Sequence, residues 1–66
     1  VLGDFKDALN DFTKVIDIDP SNPAGWIGRA VSKVQLGDHL GACKDWKKAA
    51  ELGNTDAAEL VANQCN

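Results

Sequence analysis

"GDHLGACKDWKKAAELGNTD", residues 37–56, repeats the pattern of "GDFKDALNDFTKVIDIDPSN", residues 3–22, at an offset of 34. Between residues 1–18 and 35–52, six positions are identical, and an aromatic residue aligns with an aromatic residue at Phe12 and Trp46. Self-similarity at this period is typical of arrays of helix–turn–helix units, in which each unit packs on the next. The sequence therefore predicts a row of similar packing units.

Apolar residues within each copy follow the spacing of an amphipathic helix. In the first copy they recur at steps of three and four, which places them on one helical stripe: Phe5, Ala8, Leu9, Phe12, Val15 and Ile16. Asp4 can cap the helix at its start, and the Asp19-Pro20 step disfavours helical backbone at Asp19. We predict a first helix over residues 5–18.

Three further helices follow from turn and cap residues. Asn22 and Pro23 suit the start of a helix over residues 23–36, and Gly37 suits its end. The third helix is predicted to start after Asp38 and to end at Gly53. The sequence does not decide which of residues 54–56 caps the fourth helix. Connections this short force antiparallel neighbours. The predicted fold class is all-α, with about four helices in antiparallel hairpins that stack as an α-α superhelix.

Composition and charge limit the classes of function. The chain has 66 residues and a net charge of −3, which argues against a general attraction to nucleic acid or anionic membranes. No apolar run approaches the roughly 18 residues that a membrane span requires, so membrane insertion is not expected. The sequence has no cleavable leader and opens on Val1 in the middle of a pattern, so we expect a piece of a longer protein.

The repeated positions resemble the tetratricopeptide repeat family. Its pattern of aromatic, small, Gly-Asp and Pro positions is carried by Trp26, Ala30, Gly37-Asp38, Ala42, Trp46 and Ala49, and earlier by Gly3-Asp4-Phe5, Ala8, Phe12 and Pro20. The resemblance implies one fragment over residues 1–66: the second helix of a truncated repeat (1–19), one full repeat (23–52) and a capping helix (55–66). It implies the C-terminal end of an array, and we expect a bacterial source.

The small and aromatic positions are expected to pack the helices together. Small residues let the backbones approach closely, and rings fill the space beside them. Arg29 and Lys33 depart from the family pattern, which has Leu and Tyr there, so we expect their aliphatic stems to pack in a weakened core. The predicted packing residues are Ala8, Phe12, Trp26, Ala30, Ala42, Trp46 and Ala49.

The resemblance implies a non-catalytic scaffold that holds a protein or peptide partner on a concave face. This face lacks the Lys, Arg and Asn side chains that grip a terminal carboxylate, so an apolar ligand fits better. An alternative is that neighbouring helices absent from this sequence cover the apolar stripe of Ile27, Val31 and Val34. The predicted face comprises Ala24, Ile27, Gly28, Val31, Val34, Gln35 and Val61, with Ala58 and Ala62 beside them.

A second hypothesis is self-association. The first helix lacks a hairpin partner in this sequence, so we expect its apolar stripe to be uncovered at Phe5, Leu9, Phe12 and Ile16, where it could pair with another copy and form a homo-oligomer. Catalysis has little support, because His39 is the only histidine and lies beside Asp38 in a turn. We expect no enzyme activity, no cofactor and no metal site. A further alternative is that this chain is an accessory segment of a larger protein, in which a catalytic domain lies elsewhere.

The two cysteines leave one chemical question open. Cys43 and Cys65 both lie eleven residues from Asn54, so a hairpin that turns there brings them to the same height. A disulfide also requires their Cβ atoms to approach within about 4.5 Å. The alternatives are a disulfide and two small buried hydrophobes. The compartment stays open as well, between the cytoplasm and a bacterial envelope or periplasm.

Overall fold

The computed structural model describes residues 4–65, and this part of the chain forms four α-helices in a row. They are α1 (Phe5–Ile18), α2 (Pro23–Gln35), α3 (His39–Glu51) and α4 (Thr55–Gln64). Each helix packs on the next, and the short connections make neighbours antiparallel. The all-α hairpin prediction is confirmed. The first three residues of the predicted segment 1–19, and Asn66 at the end of 55–66, lie outside the described residues.

Side-chain caps begin all four helices. Asp4 accepts a hydrogen bond from the backbone amide of Asp7 at 3.2 Å, and Asn22 caps α2 in the same way, directly before Pro23. Asp38 begins α3, and Asn54 begins α4. Each cap satisfies an amide that the first turn would otherwise leave unpaired. Among the three candidates for the fourth cap, the structure uses Asn54.

The turns after α2 and α3 are built alike. Gly37 (φ 86°) and Gly53 (φ 101°) adopt the left-handed backbone that ends a helix, which a residue without Cβ adopts at little cost. The amide of Asp38 then donates to the carbonyl of Lys33 at 2.8 Å, and the amide of Asn54 reaches back in the same way. Helix α2 therefore ends at Gln35, one residue before the predicted residue 36, because Leu36 already belongs to this turn.

The centre of the core lies where α2, α3 and α4 meet. Ala30 and Ala42 are fully buried beside the indole of Trp46. Side chains without bulk at these two positions let α2 and α3 approach closely, and the large ring fills the space that remains. Partly buried side chains complete this cluster: Val34, Cys43, Leu60, Val61 and Cys65.

Helix α1 uses much of its apolar stripe against α2. Ile16 is buried, and a Cβ placed on Gly25 would lie only 3.2 Å from its Cγ1 atom. Gly28 lies under the ring of Phe12, so that a side chain there would overlap the ring. The expectation that the whole stripe of α1 is uncovered is therefore wrong for Ile16, because two glycines of α2 make room for α1. Phe5 remains exposed.

Within residues 4–65, none of the helices has both the length and the apolar character needed to cross a bilayer.

Candidate functional site

The predicted concave face divides into an exposed part and a packed part. Ala24, Val31 and Gln35 are exposed on α2, and Ile27 between them is half-buried. Val31 has 48% of its surface accessible, which is high for a large apolar side chain. Since Ile27, Val31 and Gln35 follow one another at intervals of four, they form one row along the helix. We call Ala24, Ile27, Val31 and Gln35 the α2 face.

The other predicted face residues have neighbours within the fold. Val34 and Val61 pack against the core cluster around Trp46. Gly28 lies beneath the ring of Phe12, so its missing side chain serves the contact between α1 and α2. Ala58 and Ala62 are exposed on α4. Partner binding by any residue of the face stays a prediction.

The predicted packing residues differ in how deeply the structure buries them. Four are buried, namely Ala30, Ala42, Trp46 and Ala49. Ala8, Phe12 and Trp26 are half-buried. Trp26 has a further role, because its indole N–H donates to the carbonyl of Pro20 at 2.8 Å and so fixes the turn between α1 and α2.

A buried carboxylate with two cations connects α2 to α3. Asp45 is only 3% exposed, and it accepts two hydrogen bonds of 2.9 Å from the guanidinium of Arg29, from Nε and from Nη2. The ammonium of Lys33 lies 3.0 Å from the same carboxylate. The side chains of Arg29 and Lys33 are only 19% and 20% exposed, as packed aliphatic stems require, and their charged ends in addition meet Asp45, a contact that was not predicted from the sequence. We call these three residues the ionic cluster.

The cluster also fixes the position of Arg29 relative to its own helix. The hydrogen bonds to Asp45 raise the pKa of Arg29 above its ordinary value, against the opposing effect of partial burial. The guanidinium lies 5.0 Å from the centre of the Trp26 ring, within the range of a cation–π interaction. Arg29 thus connects the turn before α2, through Trp26, to the middle of α3.

A signal for this cluster was present in the sequence. Asp45 lies three residues after Ala42 and four before Ala49, so it belongs to the buried stripe of α3. A carboxylate on a buried stripe needs cationic partners. Arg29 and Lys33, four residues apart on the preceding helix, present two cations on one side. Sequence reasoning treated the two helices separately and therefore missed the pairing.

The two cysteines meet where the start of α3 lies beside the end of α4. The structure joins Cys43 and Cys65 in a disulfide, with their Cα atoms 5.8 Å apart. The bond forms part of the wall of an open groove of about 270 Å³ between the start of α3 and the end of α4. His39, Leu40, Lys44, Lys47 and Gln64 line the rest of this groove.

Hydroxyl and imidazole groups are not brought together for catalysis in the described residues. The Ser32 hydroxyl donates to the carbonyl of Gly28 at 3.1 Å, a hydrogen bond within α2. The Ser21 hydroxyl donates to the carboxylate of Asp19 at 2.9 Å in the preceding turn. His39 is exposed at the first position of α3.

Two curated relatives share this pattern over most of the chain. The chain is 39% identical over 62 residues to "Tetratricopeptide repeat protein 6" of Homo sapiens, an alignment that covers 94% of this chain and 12% of the relative. It is 39% identical over 56 residues to "Tetratricopeptide repeat protein 36 homolog" of Nematostella vectensis, covering 85% of this chain and 31% of that protein. The chain therefore spans less than a third of the length of either relative.

Other comparisons gave no match. No family model matches the chain. No solved structure matches it. Both relatives come from animals, so they give no support to the expected bacterial source. Their similarity over nearly the whole chain, together with its row of antiparallel hairpins, supports a tetratricopeptide repeat family for this protein.

Proposed function

We propose that this chain is a non-catalytic scaffold that holds a segment of a protein partner on the α2 face. Tetratricopeptide repeat proteins are in general non-catalytic scaffolds for protein interaction. The observation that carries the proposal is the exposure of Val31 at the centre of an apolar row, with Ile27 half-buried one turn before it. Gly28 lies against the Phe12 ring, and Val34 and Val61 pack on the core cluster, so the α2 face is the part of the predicted face on this helix that stays open to a ligand.

The charge of the face favours an apolar ligand. Both cations of α2, Arg29 and Lys33, are held by Asp45 on the side of the helix that meets α3. The α2 face consists of Ala24, Ile27, Val31 and Gln35, which carry no charge. An apolar row at helical spacing suits the apolar side of an amphipathic segment, because each then buries the other's exposed hydrophobic surface.

The rigidity of α2 also supports binding. The helix is packed on α1 at Gly25 and Gly28, and it is tied to α3 by the ionic cluster. A surface that is already ordered loses little conformational entropy when a ligand binds. We therefore expect the partner, and not this helix, to become ordered on binding.

Affinity capture with the full-length protein tests the proposal. The Val31→Asp variant places a charge at the centre of the α2 face and is expected to lose partners that the wild type retains. Val15→Asp is the matched control, since Val15 is a valine of similar exposure (40%) on α1. Circular dichroism of both variants verifies folding. Capture of the same partners by wild type and Val31→Asp would remove the α2 face from consideration.

Self-association through α1 is the second candidate function. Phe5 is exposed, and Leu9 and Phe12 are half-buried, so α1 retains an apolar strip that another copy could cover. Light scattering on the full-length protein tests this. Phe5→Ser is expected to abolish a dimer that forms through this strip, whereas Val31→Asp is not.

A further inference from the structure

Two apolar side chains of this chain are far more exposed than any other large one in residues 4–65. Ile18 is 84% exposed and Leu40 is 80% exposed, and the next, Val31, is 48% exposed. A single exposed apolar residue is ordinary on a protein surface. Their neighbours distinguish these two residues, because Ile18 lies between two carboxylates in the sequence and Leu40 shares a groove with two ammonium groups.

The first of these side chains ends α1. Ile18 is the last residue of the helix, and the exposed carboxylates of Asp17 and Asp19 flank it along the chain. Asp19 is held in place, because its carboxylate accepts a hydrogen bond of 2.9 Å from the Ser21 hydroxyl. We call residues 17–19 the acidic tip. Along the chain an isoleucine thus stands between two carboxylates, of which Asp17 is also close enough to Arg29 to contribute to its raised pKa.

The second lies on the groove between the start of α3 and the end of α4. Leu40, Lys44 and Lys47 recur at steps of four and three, so they share one face of α3. Within residues 4–65 neither lysine pairs with a carboxylate. The opposite side is formed by Gln64 and the Cys43–Cys65 disulfide. We call this surface the basic groove.

The size of the basic groove suits a side chain of a protein. Its volume of about 270 Å³ is slightly below the range of about 300–1,000 Å³ usual for small-molecule sites. Leu40 and the disulfide give its lining apolar surface, and Lys44 and Lys47 add two ammonium groups. A branched apolar side chain between two carboxylates matches both features.

We propose that the acidic tip of one copy of this protein docks in the basic groove of a second copy. Ile18 then covers Leu40 and the disulfide, while Asp17 and Asp19 approach Lys44 and Lys47. The two surfaces are different, so the contact is heterologous and joins copies head to tail. It shares no residue with the α2 face or with the apolar strip of α1, and it therefore goes beyond the proposed function.

The association is expected to be weak and sensitive to salt. Exposed ion pairs contribute little each and are screened at high ionic strength. Sedimentation velocity of the full-length protein, from about 10 µM to about 1 mM in low salt, covers the range of weak contacts. We expect the average mass to rise with concentration and to return to the monomer value in about 1 M sodium chloride, where the Debye length is about 3 Å.

A charge exchange separates this contact from every other mode of association. Lys44→Glu with Lys47→Glu makes the groove acidic, and Asp17→Lys with Asp19→Lys makes the tip basic. Each double variant alone is expected to stay monomeric, because its own tip and groove then carry charges of the same sign. An equal mixture of the two is expected to associate again, because each tip meets a groove of opposite charge.

The controls use the other two surfaces. Phe5→Ser and Val31→Asp change the apolar strip of α1 and the α2 face, and both are expected to associate like the wild type. The proposal is overturned if the wild type is monomeric throughout, if either double variant associates as strongly as the wild type, or if the mixture stays monomeric. Circular dichroism confirms that the charge variants are folded before they are compared.

Discussion

Replacement of Asp45 tests how the ionic cluster contributes to stability. Asp45→Ala leaves the side chains of Arg29 and Lys33, which are 19% and 20% exposed, without their shared carboxylate. Breaking a buried ion pair by removing one partner costs about 3–5 kcal/mol. Because both cations retain some contact with water, we expect the lower end, about 3 kcal/mol. A domain of this size has a total stability of only about 3–10 kcal/mol.

Replacement of each member of the ionic cluster by alanine is expected to lower the free energy of unfolding by a different amount, most for Asp45 and least for Lys33. Arg29→Ala removes two hydrogen bonds and the contact with Trp26, but it leaves Lys33 beside the carboxylate, so we expect a loss of about 2 kcal/mol. Lys33→Ala removes one contact and is expected to cost about 1 kcal/mol. Urea unfolding followed by circular dichroism, with the disulfide intact, measures all three variants and gives the free energy of unfolding.

A triple replacement distinguishes the attraction within the ionic cluster from the cost of leaving a charge unpaired. If all three residues are changed to leucine, no unpaired charge remains, and the free energy of unfolding should recover by at least about 2 kcal/mol relative to Asp45→Ala. A loss below about 1 kcal/mol for Asp45→Ala would refute the reasoning, because it would mean that Asp45 is not held in a desolvated site.

Three further measurements address other parts of the molecule. Reduction of the disulfide, whose ends are 22 residues apart, should lower the free energy of unfolding by about 3 kcal/mol, and an unchanged urea midpoint in dithiothreitol would contradict this. Gly28→Ala should gain about 1 kcal/mol of helix propensity but lose about 1–3 kcal/mol where its methyl group meets the Phe12 ring. Thermal unfolding should therefore show a net loss that Phe12→Leu relieves. The pKa of Asp7 is raised by its hydrogen bond with Asp4 and then by repulsion from the same group, so Asp4→Asn, which keeps a capping oxygen, should lower it in an NMR titration.

The sign of the Asp7 effect on stability follows from the direction of its shift. A carboxyl group with a raised pKa binds its proton more tightly in the folded chain than in the unfolded chain. Its contribution to folding is therefore present at low pH and is lost as the pH rises through the folded pKa. Asp7 is fully exposed, so solvent screens the interaction.

Helix positions were predictable because the residues that set them act locally. Asp4, Asp38 and Asn54 each accept a hydrogen bond from the amide three residues later, and Gly37 and Gly53 adopt the left-handed backbone that ends the preceding helix. Such effects do not depend on how the helices pack. The predicted bounds consequently agree with the structure to within a residue at the start and end of α1 and α2.

Contacts between helices were harder to predict, because they depend on the rotation of each helix about its axis. The equal heights of Cys43 and Cys65 could be counted, but their approach to 5.8 Å between Cα atoms depends on the packing of α4 on α3. The pairing of Asp45 with cations on α2, and the basic groove, depend on rotation in the same way. A stripe of apolar residues in the sequence indicates the buried face of one helix, but it does not show which residues of the neighbouring helices contact that face.

The turns after α2 and α3 have a consequence for how such a chain can change in length. Asp38 and Asn54 each serve two helices, since the backbone amide closes the preceding helix and the side chain opens the next. An insertion or deletion of one residue at either place would separate these two tasks and damage both neighbours at once. We therefore expect tolerated changes of length to fall between residues 19 and 22, where the closing and opening tasks belong to different residues, Asp19 and Asn22.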